Sequence, residues 1–158
     1  MVSINWCYKQ KDGIKLIEPN NNLVKGYIEK AEDALGVMGN EKDKSLTWAI
    51  SSCYYSMYYS LYAIMMKIGI KCEIHSCSLE FMKIYLNKFY SDEDIKIINK
   101  AFNLRILSQY YINKTMNKGD TEIIFNFAPG FIEKTKEILS KINEDDIKKI
   151  REDIRKLG

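Results

Sequence analysis

The side chains in this chain that could do chemistry are few. Its 158 residues include one histidine, His75, and one arginine ahead of the C-terminal segment, Arg105, in a chain that otherwise draws its positive charge from lysine. A guanidinium offers a planar fork of donors that grips a phosphate through two bonds, and a lysine ammonium does not reproduce that geometry. An imidazole exchanges protons near neutral pH. Tyr110, five residues beyond Arg105, is a poorer base, since a phenol ordinarily titrates at about 10. Each candidate also has a plainer reading. Arg105 could brace helices through Tyr110 or an acid such as Asp92 or Glu93, and His75 could cap or pack at a helix start.

The stretch CEIHSC, residues 72–77, gathers Cys72, His75 and Cys77, and each of these can bind zinc, with Cys7 as a fourth ligand. Their spacing is not the paired Cys-x2-Cys of structural zinc sites, so buried thiols beside a helix-start histidine are the favoured reading and no metal or other cofactor is expected. The four cysteines are scattered rather than spaced as a framework. The N-terminus MVSINWCYKQKDG has no basic stretch followed by an apolar one. A cytoplasmic location and free thiols, without a disulfide, are therefore expected.

The elements that position these residues read as helices. Hydrophobic residues make up 46% of the chain and charged residues 28%, the balance of a folded domain, and a net charge of +3 is too small to mark a dedicated nucleic-acid binder. With only two prolines and eight glycines, apolar residues recur mostly at three- and four-residue spacing. The expected fold is all-α, a compact up-and-down bundle of five to six helices over residues 22–158. Residues 1–21 precede it as a short N-terminal hairpin or extended arm, because Ile4, Trp6 and Tyr8 alternate with polar residues before the Asp12-Gly13 turn. The first helix should start near Asn22 and stop at Gly39, and the second should run from about Ser45 to Ile68 with Gly69 as its stop. A third covers 76–90. The fourth starts at Ser91, with Asp94 in the reciprocal capping position, and ends at Lys118-Gly119-Asp120. Pro129 opens a fifth, and the charged segment 144–158 forms a sixth.

The second helix carries no charge between Lys44 and Lys67. That length could span a bilayer, but serines, a threonine and five tyrosines distributed through it argue for a buried bundle helix instead. One stripe holds Trp48, Tyr55, Tyr59, Tyr62 and Met66; the opposite one holds Ile50, Tyr54, Met57, Leu61, Ile64 and Met65. Two apolar stripes need two partners, and tyrosine is enriched at interfaces, so Tyr55, Tyr59 and Tyr62 are candidates for a homodimer contact.

The string CYYSMYYSLYAIMMKIGIKCEIH resembles the second-helix signature of the HEPN domain family, a Tyr-Tyr-x-Met run followed by a glycine turn and then a histidine. Its positions here are Tyr54, Tyr55, Met57, Tyr58, Gly69 and His75. NLRILSQYY is similar to the family's fourth-helix element: Arg105 and Tyr110 match it, Ser108 stands for an alanine and Gln109 for an aspartate. The resemblance covers about Leu23 to Ile142. It implies a helical bundle, commonly a homodimer, paired with a minimal nucleotidyltransferase in toxin-antitoxin or defence systems. Many members are metal-independent RNases with a histidine four to six residues after the arginine, and here Ile106 to Gln109 lead to Tyr110 with no histidine in reach. The expectation is a partner protein that binds nucleotide or RNA through Arg105, Tyr110 and Tyr111 without the intact nuclease motif. The alternatives are a metal-independent RNase using Arg105 with His75 or Tyr110, and a purely structural helical dimer without nucleic-acid contact.

Overall fold

The computed structural model describes residues 2–158. Seven helices and one two-stranded ribbon follow in order: α1 Ile4–Lys9, β1 Lys15–Leu16, α2 Asn21–Glu41, α3 Leu46–Ile68, β2 Ile70–Lys71, α4 His75–Tyr85, α5 Asp92–Tyr110, α6 Lys118–Lys141 and α7 Glu144–Arg155. The all-α class stands, with seven helices in place of five or six.

α3 is the axis of the bundle. Sixteen of its 23 residues are buried, and α2, α5 and α6 pack around it. Its polar side chains are satisfied within the helix or by neighbours: Ser51 donates to the Thr47 carbonyl at 2.9 Å, Ser56 to Cys53 at 2.7 Å and Ser60 to Ser56 at 2.8 Å. Ser45 is its N-cap and Gly69 its C-cap, at φ +83°, a conformation that costs residues with a Cβ. A Cβ on Gly69 would also lie 2.3 Å from Arg151 Nη1 and 2.5 Å from the Ile17 carbonyl oxygen. No helix among the described residues is long and apolar enough to cross a membrane.

The N-terminus differs from expectation. Residues 4–9 form a helix capped by Ser3, whose side chain accepts from the Trp6 N–H, rather than one arm of a hairpin. The Asp12-Gly13 turn exists, but it joins this helix to β1, and β1 pairs antiparallel with β2, Lys15 opposite Lys71 and Leu16 opposite Ile70. A local cap and a tertiary anchor outweigh the alternating pattern. The anchor is a disulfide between Cys7 and Cys77, both fully solvent-shielded, joining α1 to α4. The expected free thiols are therefore Cys53 and Cys72 alone. With two of the four sulfurs bonded to each other, no group of three metal-ligating side chains exists among the described residues.

Two further boundaries move. α4 ends at Tyr85, because Tyr90 turns into the core, where its ring stacks on Phe131 at 5.1 Å and its hydroxyl lies 2.6 Å from that of Thr135. α6 begins at Lys118 rather than Pro129, with Asn117 as its cap, and Lys118-Gly119-Asp120 is a first turn and not a stop. Pro129 sits on its exposed side, where water can reach the carbonyl its missing N–H leaves without a partner. The cap at Ser91 is as expected: its hydroxyl accepts from the Asp94 N–H at 3.2 Å and Asp94 accepts from the Ser91 N–H at 2.7 Å. Asp94, 2% exposed, also holds Lys134 at 2.6 Å.

Candidate functional site

α3, the start of α4 and the middle of α5 meet at one aromatic cluster. β2, the second strand of the ribbon, follows directly on the Gly69 cap and leads to His75 as the first residue of α4. Tyr54 and Tyr58, one turn apart on α3, reach it there: the Tyr54 hydroxyl and His75 Nδ1 are 2.7 Å apart, and the Tyr58 ring stacks on the imidazole at 4.1 Å and 8°. Either partner donates, according to the imidazole tautomer. Phe102 on α5 lies nearly parallel to the imidazole on another side, at 6.2 Å and 13°.

Arg105, one turn beyond Phe102, completes the cluster. Its guanidinium carbon sits 5.7 Å from the Tyr54 ring centre and 5.2 Å from that of Tyr55, within cation–π range of both. Neither Asp92 nor Glu93 pairs with it, and among the described residues its side chain has no ion-pair or hydrogen-bond partner. Its Nε is buried without a partner. Charged and polar groups out of water are ordinarily paired, so this arginine lacks an anion.

Burial, and secondarily the positive charge of Arg105, lowers the His75 pKa from 6.5 to about 4. The imidazole is thus neutral at neutral pH. Burial raises the Tyr54 phenol far above its ordinary value, and Tyr58 follows for the same reason. Both tyrosines remain protonated donors and acceptors. The cluster therefore offers one cation, one neutral imidazole and two neutral phenols, an arrangement that fits an incoming anion.

Of the residues singled out from the sequence, Arg105 and His75 come together although 30 positions separate them. Tyr110 and Tyr111 do not join them: they stand 68% and 51% exposed at the end of α5. Gln109, on the Arg105 side of that helix, instead donates to the Ser51 hydroxyl at 3.0 Å. Along the tyrosine stripe of α3, Tyr62 is buried, edge-on to Tyr27 of α2 at 4.9 Å, and its hydroxyl accepts from the Cys72 N–H at 3.0 Å. Tyr55 and Tyr59 are half-buried, and Trp48 is 62% exposed. Phe102 belongs to the cluster without standing out in the sequence; its three-residue spacing from Arg105, which puts both on one helix face, is the available signal.

The family model for the HEPN domain matches residues 24–139, and the chain belongs to the HEPN domain family. No curated protein matches it significantly.

Proposed function

We propose that the protein is a non-nucleolytic HEPN module that binds the phosphate of RNA or of a nucleotide at Arg105, acting as the partner of a nucleotidyltransferase in a toxin-antitoxin or defence pair. The observation that carries this reading is the buried, partnerless Nε of Arg105 in a half-buried cluster without a carboxylate. An arginine kept only to brace helices would be paired, whereas one awaiting phosphate is not. Family membership supports the pairing with a nucleotidyltransferase.

The test uses one substitution and two readouts. Arg105→Lys should weaken a salt-sensitive affinity for single-stranded RNA or nucleoside phosphates, with little change in melting temperature, because the planar fork is lost while the charge remains. A lower melting temperature together with no wild-type affinity even at low salt would overturn the reading.

A second reading is a metal-independent RNase in which Arg105 holds phosphate and His75 moves the proton. The proximity of the two residues favours it, and RNA cleavage by the purified protein in EDTA, abolished in His75→Gln, is its test. Homodimerisation through the outer stripe of α3 accompanies either reading. It is supported by the exposure of Trp48 beside half-buried Tyr55 and Tyr59, and light scattering should give twice the chain mass of 18.5 kDa.

A further inference from the structure

With six residues, α1 is too short to be stable by itself. It packs chiefly on α4, and Cys7, one half of the Cys7–Cys77 disulfide, is its one buried residue. Val2, Ile4 and Tyr8 rest half-buried against the edge of the core, while Asn5, Trp6 and Lys9 are exposed. The chain that follows has anchors of its own: the Asp12 carbonyl accepts from the Glu73 N–H at 2.8 Å, the Ile17 N–H donates to the Gly69 carbonyl at 2.9 Å, and β1 pairs with β2 between them. The end of α1 is hooked to that segment, since the Cys7 and Tyr8 carbonyls accept from the Ile14 N–H at 3.1 Å and the Lys15 ammonium at 3.0 Å. Its covalent link to α4 is the disulfide. This strap borders a groove of about 440 Å³ between α4 and α5, which Val2 lines together with Ser76 and Leu79 of α4 and Ile95 and Phe102 of α5. Phe102 in turn faces His75, two residues before Cys77 in the first turn of α4.

We infer that Cys7–Cys77 is a thiol–disulfide switch: its reduction by a dithiol frees α1 from α4 and lifts Val2 off the groove, with the rest of the bundle still folded. This device does not depend on the phosphate reading of Arg105. One thiolate of the dithiol attacks a sulfur of the pair, forming a mixed disulfide and releasing the other cysteine as a thiolate that takes up a proton. The second thiol of the reductant then closes its own disulfide and releases the first cysteine, so two electrons and two protons pass to the protein. Once the crosslink is gone, a single helical turn and a few half-buried side chains remain to offset the ordering of residues 2–9, and that is too little. The bundle persists because α2, α5 and α6 enclose α3. Both sulfurs are shielded from solvent, so exchange waits on transient unwinding of α1, a local opening that a short terminal helix undergoes at low cost.

The full chain, reduced with dithiothreitol and then freed of it, is given a pulse of iodoacetamide and followed by amide hydrogen exchange. Cys53 and Cys72, both buried free thiols, are the internal controls. Cys7 should alkylate at least about tenfold faster than either. The amides of residues 6–9 should lose their protection while those of α3 and α5 keep theirs, and reoxidation should restore the original pattern. Cys7→Ser without reductant should show the same loss over residues 6–9, which separates the switch from any other effect of dithiothreitol. A Cys7 as slow to alkylate as Cys53 would show that α1 stays docked without the crosslink and would overturn the inference. Reaction of all four cysteines with protection lost in α3 would also overturn it, because the disulfide would then support the whole fold. A disulfide that dithiothreitol opens only after urea is added would do the same.

Discussion

Acidification should destabilise this protein through His75 before its carboxylates titrate. In the unfolded chain the imidazole binds a proton as the pH falls through 6.5, while in the fold burial and Arg105 hold it neutral down to about 4. Between those two values the unfolded state carries the extra proton, so stability falls as the pH is lowered across that window and is fully present above 6.5. The groups facing His75 are Tyr54, Tyr55 and Tyr58 of α3 and Phe102 and Arg105 of α5, and none of these is an acid that would oppose the effect. At about 1.4 kcal/mol per pH unit the full span would be worth roughly 3 kcal/mol, and partial access of water to this half-buried ring reduces it to about 1–2 kcal/mol. Urea unfolding of the wild type and of His75→Gln at pH 7.5 and 4.5 isolates the contribution, because carboxylate effects are common to both proteins. The wild type should lose that much more stability than the variant. As the sole histidine, His75 also gives a single imidazole resonance, whose midpoint should lie near pH 4. Equal losses in the two proteins, or a midpoint at 6.5, would refute the reasoning.

Three other outcomes follow from the same geometry. A phosphate seated on Arg105 places negative charge beside His75 and raises its pKa from about 4, so binding at pH 5, where the ligand is already a monoanion, should take up protons in the wild type and not in His75→Gln; titration calorimetry in buffers of differing ionisation enthalpy reads the uptake directly. Cys7→Ser opens a loop whose ends are 70 residues apart and should cost about 4 kcal/mol under oxidising conditions, with no difference from wild type in excess dithiothreitol, by denaturant unfolding. Gly69→Ala forces a Cβ into φ +83° and against Arg151, and should lower stability by at least about 1–2 kcal/mol in the same assay.

Much of the bundle was legible in the sequence wherever a local signal and the tertiary packing agree. Gly69 closes α3, and the Ser91–Asp94 box opens α5, because these caps act through neighbouring backbone groups and do not depend on the rest of the fold. α1 and α6 depart from the sequence expectation for the opposite reason. Period-two alternation over six residues is weaker than one cap plus a buried Cys7, and Pro129 reads as a helix start when its solvent-facing position inside a longer helix is unknown. The Cys7–Cys77 pairing spans nearly half the chain and carries no local trace. At the site, His75 is the sole histidine and Arg105 the sole arginine before the C-terminal helix, which marks both in the sequence, while their meeting depends on α3 supplying Tyr54 and Tyr58 between them, a relation of packing that spacing alone does not express.

The C-terminal helix sets a practical limit on how small this domain can be made. Nη1 of Arg151 donates to the carbonyl oxygens of Ile17, Ile68 and Gly69 at 2.8, 2.9 and 3.0 Å, so α7 ties the end of α3 to the segment entering α2. Arg151 lies outside residues 24–139, the portion matching the family, as do Ile17 and Cys7, while Cys77, the other half of the disulfide, lies inside it. A fragment trimmed to the family boundaries would strip the carbonyls at the end of the central helix of their donor and leave an unpaired thiol at the head of α4. The recognisable motif and the cooperative folding unit are therefore of different lengths, and recombinant work on the Arg105 cluster needs the chain through α7.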